Sequence, residues 1–344
     1  MRPLPIAGLA AAAALSALPA LAQPSLADVA CETPPAAHCG PGECALATLR
    51  MAGNAVDPAT GRRFFLDYPC DLKPGDKVVF ILNLHGAGSN GNWQRHYFPA
   101  MDLKERYRLI VATPTAATST ALAPGAPPVR MWAPDADDAH LRNIVGLVYA
   151  RFGHDRIRRF WVAGHSQGGM TANRIVCGQL PEKVDGWLSL SGGRIGAVQP
   201  AAGFGPPAPP GAPPPSLPGG ARLGAATTPA CDLDYIFESG DREIQALPET
   251  SPWAEKYRCA TRVRRPDVVD DRAGYVFDTR PQPGASSAWG TRPRPGTAEV
   301  MVYPKCRGGR LVADVLRLDK GHTEGLEPKV TEALVAMMTG PVRR

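Results

Sequence analysis

The segment RFWVAGHSQGGMTANRIV (159–176) constrains the fold more than any other part of the chain. It joins an apolar, strand-like run to a helix-like stretch through a turn that is rich in glycine. Gly164 and Gly168 would allow a sharp turn and a close approach of the helix to the strand. Ser166 would then stand exposed at the tip of the turn, above the positive end of the helix. Two or three glycines and a serine occur together by chance in many chains, so the meaning of GHSQGG depends on what the rest of the sequence supplies.

Strand-like and helix-like segments alternate along most of the chain. Apolar, β-branched and aromatic runs predict strands at 62–69, 77–88, 108–114, 159–164, 186–193, 233–240, 299–304 and 311–318. Helical spacing predicts helices at 137–153, with Asp137 capping its start, and at 168–180 and 328–338. Because each strand is nearly all apolar, we predict an α/β fold with a mostly parallel central sheet and helices on both faces. Functional residues in such sheets collect where the strands end, at the carboxyl edge.

Three segments differ in composition from the α/β region. Residues 1–22 combine an early arginine, an apolar run and a final Ala-Leu-Ala, which predicts a cleaved signal peptide; an uncleaved membrane anchor is the alternative. Residues 23–60 form a Cys- and Pro-rich extension, and 61–344 form the main domain. An insertion at 198–230 interrupts it, and residues 200–220 contain nine Pro and five Gly. We interpret it as a surface insertion, with a flap beside the functional site as the alternative.

The cysteines indicate the compartment. All eight lie beyond the predicted signal peptide, at positions 31, 39, 44, 70, 177, 231, 259 and 306. An even number of cysteines in an exported chain predicts disulfides, although it does not give their pairing. The sequence has no C-x-x-C pair and no H-x-x-x-H pair, so we expect no zinc and no other metal or cofactor.

The charge of the chain excludes some partners. The formal net charge is +6, a mild excess for 344 residues. RIRRF (156–160) and RVRRP (262–266) are basic but contain no interleaved aromatic pattern, so we interpret them as solvated arginines rather than a nucleic-acid site. No later stretch is long and apolar enough to span a bilayer, so no membrane association is expected after signal cleavage.

Three residues predict nucleophilic catalysis. A serine hydroxyl needs a base to take its proton, an acid to orient the base, and donors for the oxyanion. In folds with this turn, the order along the chain is serine, acid, histidine. His322 is the one histidine after Ser166, and it directly follows predicted strand 311–318. We predict Ser166 as the nucleophile, His322 as the base and Asp241, at the end of the preceding strand, as the acid. Glu243 is the alternative acid.

The oxyanion donors are predicted from two turns. One donor is the backbone N–H of Gln167, which directly follows the serine. The other comes from LHGAG (84–88), where glycines free the backbone after the first central strand. Ala87 is the predicted donor, Gly86 is the alternative, and we interpret His85 as supporting the turn rather than taking part in catalysis.

With these motifs in place, the chain resembles the secreted α/β-hydrolase esterases that group polyhydroxybutyrate depolymerases with feruloyl and acetylxylan esterases. The resemblance runs from about Arg62 to the end of the chain. It rests on the motifs LHGAG, MWAPDADDAHLRNIV, RIRRFWVAGHSQGG, CGQLPEKVDGWLSLSGG, ESGDREI and GHT. It implies an α/β-hydrolase fold and a disulfide between Cys259 and Cys306. The chain departs from the group at Glu324, where members often have Trp, at Gln167, where Ala is common, and in its proline-rich insertion.

The expected function is that of a secreted or periplasmic serine esterase that works through an acyl-enzyme without a cofactor. Its substrate would be a polyester, a feruloyl or acetyl ester, or a short-chain ester, either a small molecule or a polymer. The first alternative is a serine peptidase of the prolyl-oligopeptidase kind, although the chain leaves no room for its usual gating domain. The second is a non-catalytic module with a hydrolase fold, although such modules usually lack members of the triad.

Overall fold

The structure is a computed structural model. It describes residues 26–31, 52–121, 128–192, 228–243, 247, 249–275 and 294–340. The predicted signal peptide lies outside the described residues, as do Cys39, Cys44 and most of the proline-rich insertion.

A large sheet forms the centre of the structure. Its strands are β1 (Ala55–Asp57), β2 (Arg62–Asp67), β3 (Val78–Leu84), β4 (Leu109–Pro114), β7 (Ile157–His165), β8 (Gly186–Leu190), β9 (Asp234–Gly240), β10 (Val263–Arg264), β11 (Val268–Val269), β12 (Thr297–Val302) and β13 (Val312–Arg317). A separate hairpin consists of β5 (Thr118–Ala121) and β6 (Pro128–Met131). The order across the sheet is β1-β2-β4-β3-β7-β8-β9-β13-β12-β10, and β11 also pairs with β12.

The strand directions identify the type of sheet. The strands from β4 through β3, β7, β8 and β9 to β13 are parallel neighbours, whereas β2 and β12 run antiparallel to theirs. The parallel part has strand β7, which leads to Ser166, near its centre, and β7 continues through a glycine turn into a helix. This is the α/β-hydrolase fold.

The helices cover both faces of the sheet. They are α1 (Gly91–Tyr97), α2 (Lys104–Tyr107), α3 (Pro134–Phe152), α4 (Gln167–Ile175), α5 (Pro252–Lys256) and α6 (Pro328–Thr339), with short 3₁₀ turns at Ala100–Leu103 and Arg307–Gly309.

Alternation along the strands divides the core into two layers. In β3, Phe80 and Leu82 pack into one layer with residues of α3 and α4. Val79 and Ile81 point to the opposite layer, which contains residues of α1 and α6. All four side chains are fully buried, as expected for a strand of a parallel sheet that has helices on both sides.

The predicted segments correspond to elements of the structure, with some shifts at their ends. The helix expected at 168–180 ends at Ile175, and the helix expected at 137–153 is shifted at its start, because α3 begins at Pro134. Proline is suited to the first helical position, since its missing N–H would have no partner there. Asp137 therefore lies inside the first turn, where Oδ2 accepts from the Ala133 N–H at 2.8 Å. Asp137 is also buried and paired with Arg62 at 2.7 Å.

The amino-terminal part is joined to the sheet and to the core. The boundary expected at residue 61 falls between β1 and β2, which pair with each other as a hairpin. The buried side chain of Leu26 packs into the core, and a disulfide joins Cys31 to Cys70. The composition of this part is unusual, but its edge strand belongs to the central sheet.

Three disulfides connect described residues: Cys31–Cys70, Cys177–Cys231 and Cys259–Cys306. The last is the pair that the family resemblance implied. Cys177–Cys231 joins the two sides of the proline-rich insertion. Among the described residues, no helix combines the length and apolar character that a membrane crossing requires.

Candidate active site

Ser166 lies at the tip of a strained turn between β7 and α4. Its backbone has φ 51° and ψ −120°, a conformation that non-glycine residues rarely adopt. A Cβ added to Gly164 would lie 2.3 Å from the Gly168 carbonyl oxygen, and one added to Gly168 would lie 2.4 Å from the Leu84 carbonyl oxygen. Only glycine fits at both positions, because strand and helix pass so close to one another. This is the geometry that the GHSQGG motif predicts for a nucleophile.

The turn after β3 lies beside Ser166. A Cβ added to Gly86 would be 3.1 Å from the Cβ of Ser166. The Ser89 N–H donates to the Gly86 carbonyl at 3.3 Å, and Gly88 has φ 75°, which gives a tight turn with Ala87 at its tip. Among the described residues, the N–H of Ala87 donates no hydrogen bond to another protein group.

Gln167 contributes both its backbone and its side chain. Its N–H is at the start of α4, where helical amides have no partner, and within the described residues it has none. Its side chain forms two hydrogen bonds with the backbone of Trp132, each 3.0 Å long: Oε1 accepts from the N–H and Nε2 donates to the carbonyl. The side chain therefore holds the segment after β6 against the start of α4.

His85 supports the turn after β3 (residues 84–88), which we call the oxyanion turn after its predicted role. Its Nε2 accepts from the Ala116 N–H at 3.0 Å, so the hydrogen is on Nδ1, which donates to the Gly86 carbonyl at 2.7 Å. Trp132 donates its indole N–H to the carbonyl of His85 at 2.7 Å. Burial lowers the pKa of His85 to about 4, so the ring is neutral near pH 7.

His322 lies in the base loop, which we define as residues 318–327, directly after β13. Its Nδ1 is hydrogen bonded to Oε2 of Glu243. The other carboxylate oxygen of Glu243 accepts from the Gly240 N–H at 2.9 Å and from the Ser191 hydroxyl at 2.8 Å. A carboxylate fixed in this way can orient the ring and stabilise a positive charge on it.

The expectation that Asp241 contacts the base has to be corrected. Oδ1 of Asp241 instead accepts from the Lys320 backbone N–H at 3.3 Å, so its described contact is to the base loop backbone. The chain turns after β9, and the Glu243 N–H donates to the Gly240 carbonyl at 3.1 Å. This turn brings position 243 back toward the ring, and the longer side chain of glutamate reaches Nδ1. Glu243 was the alternative that the sequence left open.

Two further side chains contact the backbone of His322, and the sequence did not single out either of them for this role. His165 Nε2 is 2.8 Å from the His322 carbonyl oxygen, and the Tyr97 hydroxyl donates to the same oxygen at 3.4 Å. The position of His165, next to Ser166, is the one signal in the sequence that could have pointed to it.

Five charged side chains are buried within and beneath the base loop. They carry two positive and three negative formal charges: Arg317, Lys320, Glu238, Glu324 and Glu327. Arg317 Nε is 3.0 Å from Glu327 Oε2, and Lys320 Nζ is 2.7 Å from Glu327 Oε1. Burial raises the pKa of Glu238 to about 8, even though Arg317 opposes the shift. The pKa of Glu327 is lowered, because Arg317 and Lys320 outweigh its burial.

Among the described residues, no group of three or more His, Cys, Asp or Glu side chains has an arrangement that could hold a metal ion. The candidate site combines Ser166 on its strained turn, His322 hydrogen bonded to Glu243, and the backbone amides of Ala87 and Gln167.

No family model matches the chain, and no curated protein matches it. Among solved structures it is similar to an acetyl xylan esterase from Aspergillus awamori, with a TM-score of 0.42 and 12% identity, over 83% of this chain and 96% of that one. It is also similar to the fluorophosphonate-binding serine hydrolase FphF of Staphylococcus aureus, with a TM-score of 0.29 and 17% identity, over 39% of this chain and 54% of that one.

A third similar structure is acyl-protein thioesterase 2 of Zea mays, with a TM-score of 0.31 and 19% identity, over 52% of this chain and 76% of that one. The chain spans about half the length of FphF, the 54% given above. Because these scores and identities are low, the activity of this chain has to follow from its own site.

Proposed function

We propose that the protein is a serine carboxylic-ester hydrolase that works through an acyl-enzyme. The observation that carries the proposal is the combination of Ser166 on its strained turn with a histidine that is hydrogen bonded to a partly buried carboxylate, Glu243. A positive φ is costly for a serine unless the surroundings enforce it, and such strain is concentrated at functional sites.

The proposed reaction has two steps. Ser166 Oγ attacks the ester carbonyl while Nε2 of His322 takes its proton and then transfers it to the leaving alcohol. Water, activated by the same nitrogen, then hydrolyses the acyl-enzyme and regenerates the serine. Glu243 keeps the hydrogen of His322 on Nδ1, which leaves the Nε2 lone pair available for the serine proton.

The amides of Ala87 and Gln167 would bind the oxyanion. Support comes from their position next to Ser166, since Gln167 follows it in the chain and Ala87 follows Gly86, which borders it. Neither N–H has another partner among the described residues. Such preorganised donors are each worth about a hundredfold or more in turnover.

The proposed location is the periplasm or the extracellular medium, and the proposed substrates are polyester, feruloyl, acetyl or short-chain esters. The three disulfides among the described residues support an oxidising compartment. The substrate classes come from the family resemblance.

An ester panel tests the proposal. It runs from p-nitrophenyl acetate and butyrate through methyl ferulate to polyhydroxybutyrate film, with peptide anilides for comparison. We expect hydrolysis of at least one ester, labelling by a fluorophosphonate probe, and loss of both in the Ser166→Ala variant. Full ester hydrolysis by that variant would refute the proposal. Cleavage of anilides alone would favour a peptidase, and failure to label would favour a non-catalytic module.

A further inference from the structure

His165 lies between the three parts of the candidate site. It is the last residue of β7, it precedes Ser166, and its side chain is nearly fully buried. The ring of His165 contacts the ring of His322, with centroids 4.7 Å apart. A Cβ added to Gly86 would be 2.7 Å from Nδ1 of His165, so the oxyanion turn borders the same ring.

The hydrogen bond to His322 fixes the protonation of the His165 ring. A carbonyl oxygen can only accept, so Nε2 of His165 carries the hydrogen that it donates to the His322 carbonyl, 2.8 Å away. Nδ1 is buried and has no hydrogen-bond partner among the described residues. Burial lowers the pKa of His165 well below its usual value, and the neighbouring His322 adds to this shift. Burial thus favours the neutral ring, which donates to the His322 carbonyl through Nε2.

Aromatic side chains hold the ring in this orientation. The Tyr97 ring is 4.2 Å from the His165 ring and the Trp93 ring is 5.0 Å from it, centroid to centroid. The hydroxyl of Tyr97 donates to the same carbonyl of His322. Two donors from β7 and α1 therefore hold the backbone of the base, which otherwise belongs to a loop after β13.

We propose that His165 is a positioning residue that ties the backbone of His322 to the nucleophile turn. His165 directly precedes Ser166 and is hydrogen bonded to the backbone of His322. In this proposal, that bond sets the distance between Ser166 Oγ and the imidazole of His322, over which the proton is transferred. The inference rests on the proposed function, because it assigns a role within the same reaction. Proton transfer depends steeply on distance and orientation, so a shift of the base slows turnover more than it weakens substrate binding.

The test compares three substitutions of His165 on p-nitrophenyl butyrate. His165→Leu removes the donor at similar volume. His165→Gln places an amide N–H near the position of Nε2, and His165→Asn places one near Nδ1, too far from the carbonyl. The matched control is His140→Leu. His140 lies in α3 and is also a buried histidine, and its Nδ1 is 2.8 Å from Oδ2 of Asp57. Folded fraction is measured by circular dichroism, and the rate of fluorophosphonate labelling is measured beside kcat and KM.

We expect His165→Leu and His165→Asn to lower kcat and the labelling rate by about 10-fold to 100-fold, with KM within about twofold of the wild type. His165→Gln should recover most of the loss, and His140→Leu should lose stability but keep the kcat of its folded fraction. If His165→Leu does not fold, the pair of Gln and Asn variants gives the same comparison.

Wild-type kcat in the Asn or Leu variant would overturn the inference, and so would a Gln variant as slow as these, because packing alone would then explain the effect. Retained activity in Ser166→Ala would overturn the proposed function itself, so the two failures can be told apart.

Discussion

The sharpest prediction concerns Glu243→Gln. Oε1 of Glu243 accepts from the Gly240 backbone N–H, which cannot reverse its role, and from the Ser191 hydroxyl. An amide at position 243 must therefore keep its oxygen at Oε1 and turn its NH₂ group toward Nδ1 of His322. Two donors would then face each other. The imidazole would avoid this clash by moving its hydrogen to Nε2, the nitrogen whose lone pair has to accept the serine proton.

The expected loss follows from this change of tautomer. Replacing the acid of a serine–histidine–carboxylate triad by its amide lowers kcat by about 10,000-fold in the best-studied case. A factor of that size corresponds to about 5 kcal/mol in the activation barrier. We expect a loss of about 1,000-fold to 10,000-fold for Glu243→Gln, with substrate binding little affected.

The matched control is Asp241→Asn. Asp241 accepts from the Lys320 backbone N–H through Oδ1, and asparagine retains an oxygen there. We expect its kcat/KM on p-nitrophenyl acetate to stay within about threefold of the wild type. Folded fraction, measured by thermal unfolding, separates lost chemistry from lost protein. A thousandfold loss in Asp241→Asn together with near-normal activity in Glu243→Gln would refute the assignment of the acid.

Three further predictions concern stability. Gly168→Ala would bring a Cβ within 2.4 Å of a backbone oxygen and should cost about 3 kcal/mol or more in unfolding free energy. The control is Gly146→Ala, whose added Cβ would meet nothing within 4 Å. Equal melting temperatures of the two variants would contradict this prediction. The pKa of Glu238 is raised to about 8 in the fold, so its contribution to unfolding free energy is fully present below pH 4.5 and is lost as pH rises to 8. Glu238→Gln should flatten this decline of unfolding free energy with pH, measured by urea titrations at several pH values. An unchanged pH dependence would contradict the prediction. Replacing Cys259 and Cys306 by Ala opens a loop of 47 residues and should cost about 4 kcal/mol in the chain-entropy model; an unchanged denaturation midpoint would contradict it.

Much of the fold could be predicted from local patterns. Strand β3 is apolar at both alternate positions because both of its faces are covered, and that pattern is visible in the sequence. The nucleophile turn was also predictable, because close backbone contacts at Gly164 and Gly168 exclude every other residue. The short edge strands β10 and β11 could not be predicted, because two residues are too few to show an alternating pattern.

The acid could not be settled from sequence because its identity depends on the path of a turn. Asp241 and Glu243 both follow β9, and both lie where an acid is needed. The hydrogen bond from the Glu243 N–H to the Gly240 carbonyl decides which side chain faces His322. No propensity of either residue encodes that choice. The contact of His165 was not predicted for a related reason. Its partner is a backbone carbonyl distant in the chain, and every residue type has a backbone carbonyl, so the sequence does not identify the partner.

The buried charges within and beneath the base loop could not be predicted from sequence either. The sequence from Arg317 onward resembles an ordinary solvated loop, yet the guanidinium of Arg317 is 1% exposed and uses all five of its N–H donors. Nε and one terminal nitrogen donate to Glu327, and the rest reach Glu238 and the carbonyls of Glu324 and Gly325. Because Glu238 belongs to β9, this one side chain joins the strand that leads to the acid to the loop that carries the base. A lysine has three donors and no planar fork, so it could not make both sets of contacts. The cluster therefore supports the relative position of the proposed acid and base. Its residues are charged, and residue type alone would predict that they are exposed to solvent.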